Sequence, residues 1–313
     1  MSNNRTPAFL PSLLAVLSWG GMFPIADSAL RHVDAFNLTA IRYGVATVAF
    51  AGLLVAIEGR AALRYEGRFR SLLGLGALGF AGFNLLVYVG LQHTQPQNAA
   101  LIVATTPLVT VLVRWVREGV RPAPATLGLV GVALAGVGLV VTKGSLHASI
   151  GVGDALVLVG VLGWVLYTMG ASRHADLSPL RYTALSAIGG TLTILAATAV
   201  ADLAGWQTVP TPADLGAVWL DLAYIVVFGA VIGVLAWNAG VRRIGAQNAV
   251  LFMNLVPVTT FAIEIARGYR PVGAELAGAA LTVAALVAAN LLGRRRAAAP
   301  IPAVAPASAA VAR

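Results

Sequence analysis

Apolar residues in this chain come in long, nearly uninterrupted runs, with polar residues gathered in short breaks between them. From Phe9 to Leu292 the runs are 17 to 23 residues long, close to the roughly 20 residues that carry a helix across about 30 Å of hydrocarbon. A helix satisfies its own backbone in that medium, which an open strand does not. The pattern predicts an all-α integral membrane protein of ten transmembrane helices, near 9–29, 35–57, 71–91, 98–116, 125–142, 154–172, 180–201, 218–240, 246–266 and 272–292. The Ala/Pro-rich tail 297–313 has nothing to bury and is expected to be disordered.

The two halves of this pattern repeat. At an offset of 150, Gly90, Gln97, Asn98, Ala99, Leu101, Pro107 and Thr110 return as Gly240, Gln247, Asn248, Ala249, Leu251, Pro257 and Thr260. Apolar helices produce chance Ala and Leu matches freely, but not Gln-Asn and Pro together at one offset. With small shifts, Trp19 also matches Trp164, Arg42-Tyr43 matches Arg181-Tyr182 and Gly131 matches Gly278. The expected units are a first repeat over 9–142 and a second over 154–292. Five helices per unit is an odd number, so the units enter the membrane in opposite senses. Such inverted repeats place a binding site near the midplane and rock against each other to give alternating access. The first run follows Arg5 and ends in small residues, as a signal peptide would; its repeat partner reads it as a retained helix.

Composition agrees: 58% of residues are hydrophobic and 11% charged, with a mean hydropathy of +0.84, against about 45–50% and 25% in soluble domains. The net charge of +9 does not indicate nucleic acid, because the basic residues sit between the apolar runs rather than on one face. With the N-terminus inside, Arg31, Lys143, Arg267 and Arg270 fall outside and Arg42 falls within a helix, leaving 16 of the 21 basic residues on the inner side. The positive-inside rule then puts both termini in the cytoplasm of a bacterial inner membrane. Without cysteine, and with His32, His93, His147 and His174 far apart, neither a disulfide framework nor a metal site is expected. No cofactor is implied.

On these residues the sequence resembles the drug/metabolite transporter superfamily, its EamA-type ten-helix members, and among them the YddG-like amino-acid exporters. The resemblance covers 9–292. It rests on the duplicated five-helix unit, the Trp in the first helix of each half, the Arg opening helices 2 and 7, and the Pro inside helices 4 and 9. It implies export of metabolites, often amino acids, from a cavity lined by both halves. One departure concerns the ends of helices 4 and 9, where many members carry Gly-Glu before a basic or Pro residue; this chain has Glu118-Gly119-Val120 and Gly268-Tyr269-Arg270.

Several residues are candidates for the transport path. Pro107 and Pro257 each remove an N–H inside a helix, freeing the carbonyls of Val103 and Met253. These carbonyls either face the pathway, the prolines serving as kinks or gates, or are satisfied by packed neighbours. Asn98, Asn248 and Asn254 either contact substrate or join helices by hydrogen bonding. In helix 3, Phe80, Asn84 and Tyr88 share a face at four-residue spacing with Phe83 alongside, a mixture that suits a zwitterion with an apolar side chain. Trp164 and Tyr167 of helix 6, and Trp237 and Asn238 of helix 8, either line the cavity or pack helices together; Trp164 and Trp237 are inset from the helix ends, as cavity-lining groups would be. The face shown by Trp19 is open.

Charge at membrane depth marks function or a partner. Glu264 is either a proton site or the partner of Arg267 or Arg270, while Arg42 and Arg181 are expected to snorkel toward lipid phosphates. No acid lies between Phe9 and Ala26, which argues against cationic drug/proton antiport, and no proton relay is evident. The expected function is export of neutral amino acids, with apolar and aromatic ones favoured, by a non-enzyme that needs only its small-molecule substrate and membrane lipid. It is expected to work as a monomer, with a dimer left open. The alternatives are export of other metabolites or drugs by proton antiport and, more distantly, a membrane enzyme. Ser18, Ser172 and Ser186 have no His or Asp partner at mid-membrane depth for the latter.

Overall fold

The computed structural model describes residues 7–145, 150–244 and 252–297, with the side chains of Ser172, Asn238, Val241, Arg242, Asn290 and 293–297 outside the description. Asn248, the start of the predicted ninth helix and the low-complexity tail beyond 297 lie outside the described residues. All described secondary structure is helical. We number the membrane helices α1 (Leu10–Ala29), α2 (Ala35–Glu58), α3 (Phe69–Leu91), α4 (Pro96–Ala104 continued by Thr106–Glu118), α5 (Pro124–Val141) and α6 (Val152–Ala171). They continue as α7 (Pro179–Leu203), α8 (219–244), α9 (Leu255–Ala266) and α10 (Gly273–Ala297). Seven of them meet the length and hydropathy needed to span a bilayer, and the two arms of α4 do so together. The described part of α9 and the apolar stretch of α10 are shorter.

The ends obey local chemistry. Asp34 caps α2 by accepting from the Phe36 and Asn37 amides, and Ser178 caps α7 by accepting from Arg181, satisfying donors with no intrahelical partner. Pro96, Pro124 and Pro179 open α4, α5 and α7 at the first helical residue, where a missing N–H costs nothing. Gly119, at φ 69°, ends α4 in the left-handed conformation that glycine adopts without penalty. Large apolar side chains such as Val48, Val116 and Leu203 are 74%, 84% and 90% exposed. In water such faces would drive association; against lipid they are the expected solvent contact.

Packing between the halves follows a two-fold pattern. α1 lies against α8 and α9 while α6 lies against α3 and α4; α3 packs on α7 as α2 packs on α8; and α2–α7, α4–α9 and α5–α10 pair repeat mates directly. Glycine makes these approaches close. A Cβ on Gly76 of α3 would sit 2.0 Å from the Ser186 carbonyl of α7, and one on Gly278 of α10 would sit 2.6 Å from the Gly136 carbonyl of α5. Small residues at helix crossings are the usual means of close approach in lipid.

One further feature is shared by the halves. α3 is π-helical over Ala77–Gly82 and α8 over Ile225–Ile232, so at the offset of 150 the wide turns coincide. α4 bends by 45° where Ala104 meets Thr106. The kink expected at Pro107 is therefore present, but the Val103 carbonyl accepts from the Thr106 hydroxyl at 2.5 Å and needs no substrate. Pro24, inside α1, behaves alike: the Gly20 carbonyl that its missing N–H would have bonded accepts from Thr260 at 2.7 Å.

On the side of the two termini, ion pairs tie the halves together. Glu66, in the α2–α3 loop, pairs with Arg181 at 2.7 Å and Arg68 at 3.0 Å, and Arg68 reaches Asp176 of the α6–α7 loop at 2.7 Å. Arg181 also donates to the carbonyls of Ala62 and Arg64. Arg181, first, and Arg68 hold the Glu66 carboxyl below its ordinary value of 4.5. A depressed carboxyl stabilises the fold above its unfolded value, and that contribution is lost as pH falls through the folded value. Glu66→Gln is expected to lower the thermal midpoint slightly at pH 7, with the gap to wild type closing in acid. An equal gap at pH 7 and pH 3 would refute this.

Candidate functional site

A cavity of about 90 Å³ lies where the halves meet. A buried water needs roughly 10–15 Å³ of such space, so the cavity has room for several waters, and it adjoins a larger space. Repeat mates supply much of its wall. Val103 and Thr106, flanking the bend in α4, face Met253 and Val256 at the same place beside α9. Trp19 of α1 and Trp164 of α6 both line it, as do Phe80 and its mate Ala230 at the π-helical turns. The aromatic groups are mutually supported: Trp164 lies 5.3 Å from both Phe83 and Tyr167, and Trp19 lies 5.5 Å from Trp237. The Trp19 indole N–H donates to the Gly229 carbonyl of the α8 π-turn at 3.0 Å. A second space of about 400 Å³ shares Trp19, Phe80, Trp164 and Val234 with the first and runs past Tyr167 and Trp237 to the exposed Ala175 and Pro179. Toward the opposite side Leu38, Tyr88 and Leu91 are fully buried. The cavity is thus entered from the side of the termini.

Among the described residues, the first half supplies Arg42, Tyr43, Asn84 and Thr106 to the wall, and the second half supplies the Trp164 indole. Arg42 of α2 is 4% exposed and lines the cavity, which corrects the expectation that it snorkels to lipid. Its mate Arg181 is the one near the surface, within the loop network described above. Both hydrogen bonds of Arg42 leave from Nη1, to Asn84 Oδ1 and to the Tyr88 hydroxyl, each at 2.9 Å. Its Nε is buried without a partner. The guanidinium lies 4.9 Å from the Tyr43 ring centre and 5.7 Å from that of Tyr88. All twelve acidic residues fall among the described residues, and none pairs with Arg42. An unpaired charge at membrane depth costs at least about 2.5–3.5 kcal/mol. Asn84 donates in turn to the Phe80 carbonyl at 2.9 Å, so its orientation toward Arg42 is set. The mate of Asn84 by the offset of 150 is the apolar Val234, which leaves one end of the cavity polar and the rest apolar.

The structure brings together some of the sequence candidates and separates others. Phe83, Asn84 and Trp164 line the central cavity; Tyr167 and Trp237 line the space leading to it. Tyr88 stands behind Arg42, one layer from the cavity. Asn98 is buried away from both spaces, where it donates to Thr94 at 3.4 Å; Thr94 in turn donates to Asp154 at 2.5 Å. It belongs to a helix-joining network. Pro107 and Pro257 bend or open their helices beside the cavity while Val103, Thr106, Met253 and Val256 form its surface. Asn238 lies on α8, its side chain outside the description. Glu264 pairs with Arg267 at 3.2 Å, and Arg267 also donates to the Pro24 carbonyl, away from the cavity. Nearby Tyr269, between α9 and α10, donates to Glu275, and burial followed by that bond pushes its phenol up to about 12.

A central cavity between two halves that each carry five helices is the arrangement of a membrane transporter. The chain belongs to the EamA-like transporter family, which it matches over 7–142 and again over 151–291. It is 32% identical over 294 residues to the uncharacterized transporter YrdR of Bacillus subtilis, covering 91% of this chain and 92% of that one. It is 27% identical over 295 residues to the probable terminal-alkyne amino-acid exporter of Streptantibioticus cattleyicolor, covering 91% and 94%. A crystal structure at 23% identity shares the fold with a TM-score of 0.67 over 92% of this chain and 98% of that one.

Proposed function

We propose that the protein exports neutral amino acids, with apolar and aromatic ones preferred, across the bacterial inner membrane by alternating access. The observation that carries this reading is the aromatic-walled cavity between the halves, polar at one end and open to the side of the termini. With both termini in the cytoplasm, as the distribution of basic residues implies, that opening is the loading side. The amino-acid exporter among the relatives supports the substrate class. No acid lines either space, and Glu264 is engaged with Arg267, which favours facilitated export over proton antiport.

The test is counterflow of radiolabelled phenylalanine, methionine and threonine in proteoliposomes of the purified chain. Wild type is expected to accumulate label, and Trp164→Ala to lose at least about tenfold, the effect of removing one stacked aromatic contact together with its buried area. No flux of any amino acid by folded wild-type protein would refute the reading.

A further inference from the structure

The proposed function leaves open which part of a substrate the site recognises, and the central cavity is charged in one sense only. Arg42 lines it, no acidic side chain does, and the adjoining vestibule holds no acid either. The guanidinium spends a single nitrogen on protein: Nη1 serves Asn84 and Tyr88. Nη2 makes no hydrogen bond, and Nε is unpartnered and closed off from solvent, so a ligand that reaches Nη2 and displaces the packing over Nε would find two free donors. Those two N–H groups are parallel, the geometry that grips both oxygens of a carboxylate at once. Asn84 and Tyr88 hold Nη1, and Asn84 is itself fixed by the Phe80 carbonyl, so the guanidinium is held in place. Beyond it the wall is Phe83, Trp164 and Trp19, suited to an apolar or aromatic body. Among the described residues of the wall no carboxylate awaits an ammonium group, which would meet aromatic faces and the Thr106 hydroxyl.

We infer that Arg42 is a carboxylate-binding residue and that this carboxylate, not the α-ammonium group, is what the site requires. The ligand class is then small monocarboxylates with an apolar or aromatic side chain, of which amino acids are one subset and their deaminated analogues another. The inference rests on the proposed function for the location of the site and extends it in substrate range.

Binding separates the two ideas, because it does not depend on flux. The purified full chain in detergent would be titrated with phenylalanine, 3-phenylpropionate and phenethylamine while tryptophan fluorescence is followed, alongside Arg42→Gln and Arg42→Lys. The expected result is that phenylpropionate binds within about tenfold of phenylalanine and phenethylamine at least about tenfold more weakly. Arg42→Gln should lose both carboxylates, and Arg42→Lys, which keeps the charge without the fork, should fall between. The wild-type ranking alone decides the matter if Arg42→Gln does not fold. Phenethylamine binding as tightly as phenylalanine, phenylpropionate failing to bind, or unchanged carboxylate affinity in folded Arg42→Gln would each overturn the inference. Arg42-dependent binding of both carboxylates without counterflow of any amino acid would instead sustain it and refute the amino-acid exporter.

Discussion

Asn84→Asp is expected to cut transport by about one to two orders of magnitude, more than Asn84→Ala does, while leaving the protein folded. Asn84 Oδ1 already lies 2.9 Å from Arg42 Nη1, so the substituted carboxylate needs no rearrangement to form a buried, charge-assisted pair. Such bonds are worth about 1.5–3 kcal/mol. The pair would neutralise the cavity's one cation and compete with any incoming anion, lowering flux by roughly 10- to 100-fold. The thermal midpoint should hold or rise, because an unpaired buried charge gains its partner. Asn84→Ala makes the contrast: the positioning contact is lost, the charge stays available, and transport weakens less. If Asn84→Asp transported at the wild-type rate, Arg42 would have no part in the path.

The second large effect is structural. Gly76→Leu is expected to abolish the folded protein, because its Cβ would meet the Ser186 carbonyl at 2.0 Å and the Gly190 amide at 2.8 Å. Both are backbone atoms of α7 and cannot rotate away. Overpacking ordinarily costs about 1–3 kcal/mol, and an obstacle made of backbone places this site at or above the top of that range. Gly74→Leu, one half-turn earlier on the same helix, is the control: nothing lies within 4 Å of its Cβ, so it should behave as wild type. Size-exclusion profiles of the two variants in detergent would show it, and a monodisperse, wild-type-like Gly76→Leu would contradict the α3–α7 crossing.

The positions of the helices could be read from the chain because the thickness of hydrocarbon dictates the length of the runs, and the offset of 150 was visible because Gln-Asn and Pro do not recur together by chance. Trp164 stood out as an aromatic group inset from its helix ends and Asn84 as an amide sharing a face with Phe80 and Tyr88, and both line the cavity. Arg42 was misread because it aligns with Arg181, although the two lie at different depths. Arg181 is the third residue of α7 and Arg42 the eighth of α2, which at about 1.5 Å per residue puts Arg42 some 7 Å deeper. Depth, not alignment, was the signal: a charge two turns into an apolar helix must face a cavity or a partner. Asn98 carried the same amide chemistry as Asn84 but sits near the start of α4, where it joins the Thr94–Asp154 network. Nothing in the residue types marks the π-helical turns, whose α-helical alternative has the same composition.

Those turns carry a record of descent. A π-turn accommodates one more residue than an α-turn, so a one-residue insertion in a regular helix is enough to produce it. The two lie at equivalent places, Ala77–Gly82 and Ile225–Ile232, and a single insertion before the five-helix gene was copied explains both, where two independent events would have had to coincide. The common ancestor of the halves therefore already had the widened turn that now bears Phe80 in one half and Ala230 in the other.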